Sequence, residues 1–190
     1  MDSIIFENKV FKQTDFSKKL LGKGTYDNCR FVDCDFSDSD LSNITFIECE
    51  FTKCNLSMTK VHNTSFKGVK FINCKLLGLN FNDCDEFLLL VDFEDCDLKF
   101  ASFNKLKLSK IKFTNCSLQE ADFIETDLTE SLFDNCDLSR TIFTRTVLIK
   151  ADLRTSYGYS IDPEINKISK AKFSLPGIIG LLDKYKIEVE

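Results

Sequence analysis

The sequence predicts an all-β solenoid in which four short segments close each coil, and three observations lead there. An apolar residue recurs every five positions, nearly all phenylalanines fall on that recurrence, and the cysteines form columns spaced by twenty. The first run starts at Phe6 and continues through Phe11, Phe16, Leu21, Tyr26 and Phe31 as far as Phe81 without interruption. A two-residue insertion between Asn82 and Phe87 follows, after which the pattern is expected to resume at Leu88 and run through Phe93, Phe113 and Phe133 to Leu153. Ile168 and Phe173 keep the same register beyond an apparent excursion from Arg154 to Lys167. Seventeen of the nineteen phenylalanines occupy this one position, which turns an odd composition into a positional rule.

A period of five matches neither the 3.6 of an α-helix nor the 2 of a strand, so the chain has to turn at every repeat. Repeats of fixed length mark solenoids, in which each unit buries its apolar face only against its neighbours. The cysteines sit two before the central position, and eight of them fall into columns. These are Cys29 and Cys49; Cys34, Cys54 and Cys74; and Cys96, Cys116 and Cys136. Inward residues at equivalent corners stack from coil to coil, so a spacing of twenty means four repeats per coil.

The segments CDFSD (34 to 38), CNLSM (54 to 58), ADFIE (121 to 125), CDLSR (136 to 140) and ADLRT (151 to 155) resemble the A(D/N)LXX motif of pentapeptide repeat proteins. The resemblance covers residues 4 to 174 and implies a right-handed quadrilateral β-helix whose central Phe or Leu, and the small residue two before it, point inward. Some thirty-two units at four per coil give about eight coils, a rod about 40 Å long at strand spacing. Residues 1–174 are thus expected to form the β-helix and 175–190 a C-terminal capping or dimerisation segment.

Little in this chain suggests catalysis. Zinc sites want cysteines two to four residues apart, whereas these are five apart on different walls and read as small buried hydrophobes. His62 is the lone histidine and is expected on the surface, and no phosphate-loop, dinucleotide or zincin motif occurs. The expectation is a non-enzymatic chain with no cofactor, metal, small-molecule substrate or membrane span, and without a signal peptide, hence cytoplasmic. A net charge of −5 argues against direct nucleic-acid binding and leaves a basic partner open.

Charge is uneven along the chain. Asp33, Asp35, Asp38, Asp40, Glu48 and Glu50 lie between Arg30 and Lys53 with no basic residue among them. Glu120, Asp122, Glu125, Asp127, Glu130, Asp134 and Asp137 lie likewise between Lys112 and Arg140. Every one falls one before, one after or two after a central residue, positions that project outward. Such belts suit imitation of duplex-DNA charge; alternatively they are repeat consensus on a soluble surface.

Past Phe173 the pattern becomes helical. Pro176 suits a first turn, and Leu175, Ile178, Ile179, Leu181, Leu182 and Tyr185 make an apolar face, with Ile187 and Val189 alternating as a short final strand. This tail resembles the dimerising segment of the quinolone-resistance (Qnr-type) members, which implies a homodimer that engages DNA gyrase or topoisomerase IV and blunts quinolone poisoning. The alternative is an interaction scaffold with no topoisomerase role.

Overall fold

The protein is described over residues 4–188 of a computed structural model, and its backbone is the parallel solenoid that the period of five requires. Strands β1 (Ile5–Glu7), β3 (Thr25–Asp27) and β5 (Thr45–Ile47) stack on one wall. On the adjacent wall stack β2 (Val10–Lys12), β4 (Arg30–Val32), β6 (Glu50–Thr52), β7 (Ser65–Ile72), β8 (Leu90–Glu94), β9 (Lys112–Thr114) and β10 (Leu132–Asp134). All pairs are parallel, and long β7 turns the corner to pair with both β5 and β6. The other two walls are single bridges at each level, such as Asp15↔Asp35↔Asn55↔Lys75 and Ser102↔Asp122↔Ile142.

From β2 to β10 the regular strands make six turns, fewer than the eight coils expected from counting repeats. The remaining length is held by isolated bridges, among them Leu132↔Asp152 and Asp152↔Lys172.

The core is a set of ring stacks. Phe11, Phe31, Phe51, Phe71, Phe93, Phe113 and Phe133 form one uninterrupted column with centroids 4.6 to 5.4 Å apart. That distance is close to the strand spacing, so one ring per coil satisfies the ladder and the stack together. A second column holds Phe81, Phe103, Phe123 and Phe143. Edge-to-face contacts such as Phe103 with Phe113, 5.8 Å apart and 80° inclined, lock adjacent columns.

At the corners the small residue two before each centre does more than fill space. Cys54 Sγ donates to the carbonyl of Phe31 at 3.3 Å, Cys136 Sγ to Phe113 at 3.4 Å, Thr126 Oγ1 to Phe103 at 2.8 Å and Ser156 Oγ to Phe133 at 2.8 Å. Each reaches the central carbonyl of the preceding coil, so Cys, Thr and Ser interchange as short donors.

Three expectations are corrected. The first concerns the resumption at Leu88, which is exposed with φ 60°; the partly buried Leu89 packs on the core instead. The cause is a bulge: Lys67 pairs with Leu90 and Val69 with Val91, leaving Gly68 (φ 69°) as the extra residue. Next, the stretch from Arg154 to Lys167 is part of the coil. Tyr157 bridges Asp137 and Lys167 bridges Val147, while the central positions fall to Gly158 and Pro163 and no bridge joins Ile142 to Asp162. Finally, the C-terminal helix forms as 3₁₀ turns, Pro176–Leu181 and Asp183–Tyr185, where Gly177 and Gly180 weaken an α-helix. Ile187 is exposed and outside any strand, and Val189 lies outside the described residues.

Replacing Phe113 by Ala should cost about 3 to 5 kcal/mol through cavity formation. Phe100→Ala, at an exposed site off the columns, should stay within about 0.5 kcal/mol. Urea unfolding of both variants checks the inward register, and comparable losses for the two would refute it.

Candidate interaction surface

Outward side chains are positioned by the turn that ends each repeat. One residue before the centre, a carboxylate folds back over the turn: Asp35 Oδ1 accepts from Ser37 N and Oγ at 2.9 and 2.7 Å. Asp40 accepts from Ser42 N, Asp122 from Ile124 N, Asp127 from Thr129 N and Asp137 from Ser139 N, all at 2.7 to 2.9 Å. These are Asx turns, so five of the thirteen expected acids hold the coil together. Two residues after the centre the backbone is left-handed, with φ 60° at Asp33, 54° at Asp38 and 48° at Glu48. Asp and Asn tolerate that region better than most residues.

The three glutamates of the second belt are neutralised from the next coil. Arg140 pairs with Glu120 at 2.5 Å, Arg145 with Glu125 at 2.5 Å and Lys150 with Glu130 at 2.7 Å, each partner twenty residues on. The Lys150 ammonium holds the Glu130 carboxyl below its ordinary range. Asp134 accepts from Thr155 Oγ1 at 2.8 Å. In the first belt Arg30 reaches Glu50 and Lys23 reaches Asp40, both at 3.8 Å. Asp33, Asp38 and Glu48 are exposed and make no ion pair among the described residues.

A third acidic run escaped the sequence reading. Between Lys75 and Lys99 lie Asp83, Asp85, Glu86, Asp92, Glu94, Asp95 and Asp97, with no basic residue. Among the described residues their one ion pair is Asp97 with Lys99, at 3.9 Å. The run straddles the break in the repeat, and a scan for basic-free windows would have found it. In its middle Phe87, Leu88 and Leu90 are exposed, Phe87 by 68%, with the Lys67 ammonium 5.6 Å from the Phe87 ring. The rod thus has at mid-length an apolar knob in an acidic field.

The tail residues are divided by the fold. Leu181 packs on the core and Leu182 is half-buried, while Leu175 (84% exposed), Ile178, Ile179, Tyr185 and Ile187 face outward. Ile161 N donates to Gly180 O at 2.9 Å and Lys184 bridges Asp162 and Glu164, which ties the tail over the rod's end.

The cysteines Cys34, Cys54, Cys74, Cys96, Cys116 and Cys136 form one column on successive coils, and all nine are buried as free thiols. Burial pushes the Cys49 thiol up to about 12 and raises Cys84 as well. Among the described residues no group of three or more His, Cys, Asp or Glu gathers to hold a metal ion, and no helix is long and apolar enough to cross a membrane. His62 is exposed, with its Nε2 3.2 Å from Asn63 Nδ2.

A parallel coil that turns every five residues around stacked central side chains defines a class of repeat solenoid. The family model for the pentapeptide repeat region matches residues 24–86 and 87–157, so the chain belongs to the pentapeptide repeat family. Two trypsin-treated variants of QnrB1, described as a plasmid-mediated fluoroquinolone resistance protein, have the same fold. One matches with TM-score 0.74 and 19% identity over 98% of this chain and 92% of that one. The other matches with TM-score 0.65 and 19% identity over 98% and 100%. None of the curated proteins matches the chain by sequence.

Buried away from solvent, the thiols should be inert in the folded protein. Ellman's reagent at pH 8 is expected to label none of the nine in buffer and all nine in guanidinium. Stoichiometric labelling of the native protein would revive a thiol-based redox role.

Proposed function

We propose that this chain is a non-enzymatic cytoplasmic protein that presents DNA-like charge to a type II topoisomerase, DNA gyrase or topoisomerase IV, and so protects it from quinolones. The observation that carries this reading is the mid-rod acidic run, seven carboxylates with a single ion pair, on a rod shaped like QnrB1 over nearly its whole length. A DNA-binding groove is basic and attracts such a surface at long range, and the protein's own net charge of −5 disfavours duplex DNA itself as a ligand. The competing reading, an interaction scaffold with no topoisomerase role, is favoured by the second belt. There Glu120, Glu125 and Glu130 are paired with bases and Asp122, Asp127 and Asp137 serve the turns.

The two readings separate in gyrase assays of supercoiling and quinolone-stabilised cleavage, run with titrated protein at low and moderate salt. Charge imitation predicts inhibition or protection that fades as salt rises. Asp33→Asn, Asp38→Asn and Asp95→Asn keep a residue that tolerates the left-handed backbone, so the triple variant should fold and lose most of the effect. Arg140→Gln with Arg145→Gln unmasks two glutamates and should strengthen it. Absence of any effect at either salt concentration would leave the scaffold reading.

The chain is further proposed to dimerise through Leu175, Ile178, Ile179, Leu181, Leu182, Tyr185, Ile187 and Val189, in an isologous contact at the C-terminal end. The apolar face that remains exposed after Leu181 has docked supports this. Ile178→Asp with Ile179→Asp leaves Leu181 in place and should give a monomer by light scattering; an unchanged dimer mass would move the interface elsewhere.

A further inference from the structure

The two ends of the rod are finished differently. At the C-terminal end the chain folds back, Leu181 covers the core and Gly180 receives the Ile161 amide. Among the described residues the N-terminal end has no such cover. Phe6 and Phe11 are only partly buried, whereas Tyr26 and Phe31, their equivalents one coil on, are fully buried. Ile4, Ile5, Val10 and Leu20 are exposed, Leu20 by 75%. Between these residues lies a groove of about 450 Å³ floored by Phe6, Phe11, Phe16 and Leu21.

Two strand edges flank that groove. β1 pairs only with β3, and β2 only with β4. In the second coil the amides of Thr25 and Arg30 donate back to the carbonyls of Ile4 and Lys9. The equivalent amides of the first coil, on Ile5 and Val10, therefore point away from the rod. An open parallel edge beside an apolar groove is a template for one more strand.

Charge selects the occupant. The first coil carries Lys9, Lys12, Lys18, Lys19 and Lys23 against Glu7 and Asp15, an inversion of the protein's overall acidity. Lys18 pairs with Asp15 and Lys23 reaches Asp40, whereas Lys9, Lys12 and Lys19 make no ion pair among the described residues. A second copy fits poorly. Its N-terminal end would bring like charges together, and its C-terminal end has Lys167, Lys170, Lys172, Lys184 and Lys186 balanced by Asp162, Glu164, Asp183, Glu188 and Glu190.

We propose that the N-terminal end of the rod captures an extended acidic segment of a partner protein. The segment adds as a strand to β1 and β2 and seats apolar side chains on Phe6 and Phe11. This proposal is independent of the topoisomerase reading, which concerns the sides of the rod.

The test uses the full chain and a fluorescein-labelled ten-residue peptide alternating Glu with Val and Phe, beside a counterpart in which Lys replaces Glu. Saturable binding of the acidic peptide is expected, with amide shifts and slowed exchange confined to Ile5, Val10 and their neighbours. Lys9→Glu, Lys12→Glu and Lys19→Glu together, all at exposed sites, should weaken it by about tenfold or more. Val10→Pro, which removes an outward amide at an edge where proline is tolerated, should weaken it too. Equal binding of the lysine peptide, or shifts scattered along the rod, would overturn the proposal. So would a doubled mass that Leu20→Glu abolishes, since the end would then belong to a second copy.

Discussion

Every feature of this protein depends on one constraint: each residue of a coil sits directly over its equivalent twenty positions earlier, or twenty-two across the insertion. Parallel pairing at strand spacing enforces it, and the ring column from Phe11 to Phe133 exploits it, because rings held at that distance stack in contact. The same superposition brings each corner thiol or hydroxyl under the carbonyl it donates to. Unlike a globular core, this one has no centre. Each coil is stabilised by two neighbours, so stability grows by addition and the ends are where it runs out.

The same constraint shows what could be read in the sequence and what could not. The inward register was legible at Phe31, Phe51 and Phe113 because a period of five in large apolar residues has no other physical explanation. The choice between Leu88 and Leu89 was not, since it turns on whether Gly68, one coil away, bulges out of β7. Likewise Gly158 and Pro163 hid a half-coil: the sequence loses its apolar centres there while the backbone keeps its bridges at Tyr157 and Lys167. The pairing of Glu120, Glu125 and Glu130 with Arg140, Arg145 and Lys150 was implicit once twenty residues per coil was established. A linear scan for basic-free windows looks along the chain, though, and these pairs form across it.

The acids accordingly fall into three groups by physical role. Those one before a centre, such as Asp35 and Asp127, accept amide and hydroxyl protons across their own turn and are part of the fold. Glutamates two after a centre in the second belt spend their charge on the next coil. What is left, Asp33, Asp38, Glu48, Asp83, Glu86, Glu94 and Asp95, is exposed and makes no ion pair among the described residues. Unpaired carboxylates such as these project a field that can steer a partner, whereas one paired at 2.5 to 2.7 Å is close to a neutral dipole at the Debye distance.

A rod with a closed core has little to offer chemically except its surface, and that surface is patterned by length. Equivalent positions repeat every 4.8 Å or so along an edge. A charge at one level is therefore reinforced or cancelled by the residue at the next, and the balance is adjusted one substitution at a time without disturbing the interior. Lys110, Glu130 and Lys150 on successive coils show cancellation, with the Glu130 carboxylate 3.9 and 2.7 Å from the two ammonium groups. Asp95, with Asn73 and Asn115 at the equivalent positions of the adjacent coils, shows charge left standing. The mid-rod run coincides with the two-residue insertion in the repeat. There the bulge at Gly68 and the two added residues lift Phe87 and Leu88 out of register into solvent. The regular coils expose apolar side chains such as Met58 and Phe100 singly, whereas at the break Phe87, Leu88 and Leu90 are exposed together. The break thus places an apolar knob and exposed acids such as Glu86 and Asp95 on the same stretch of the rod.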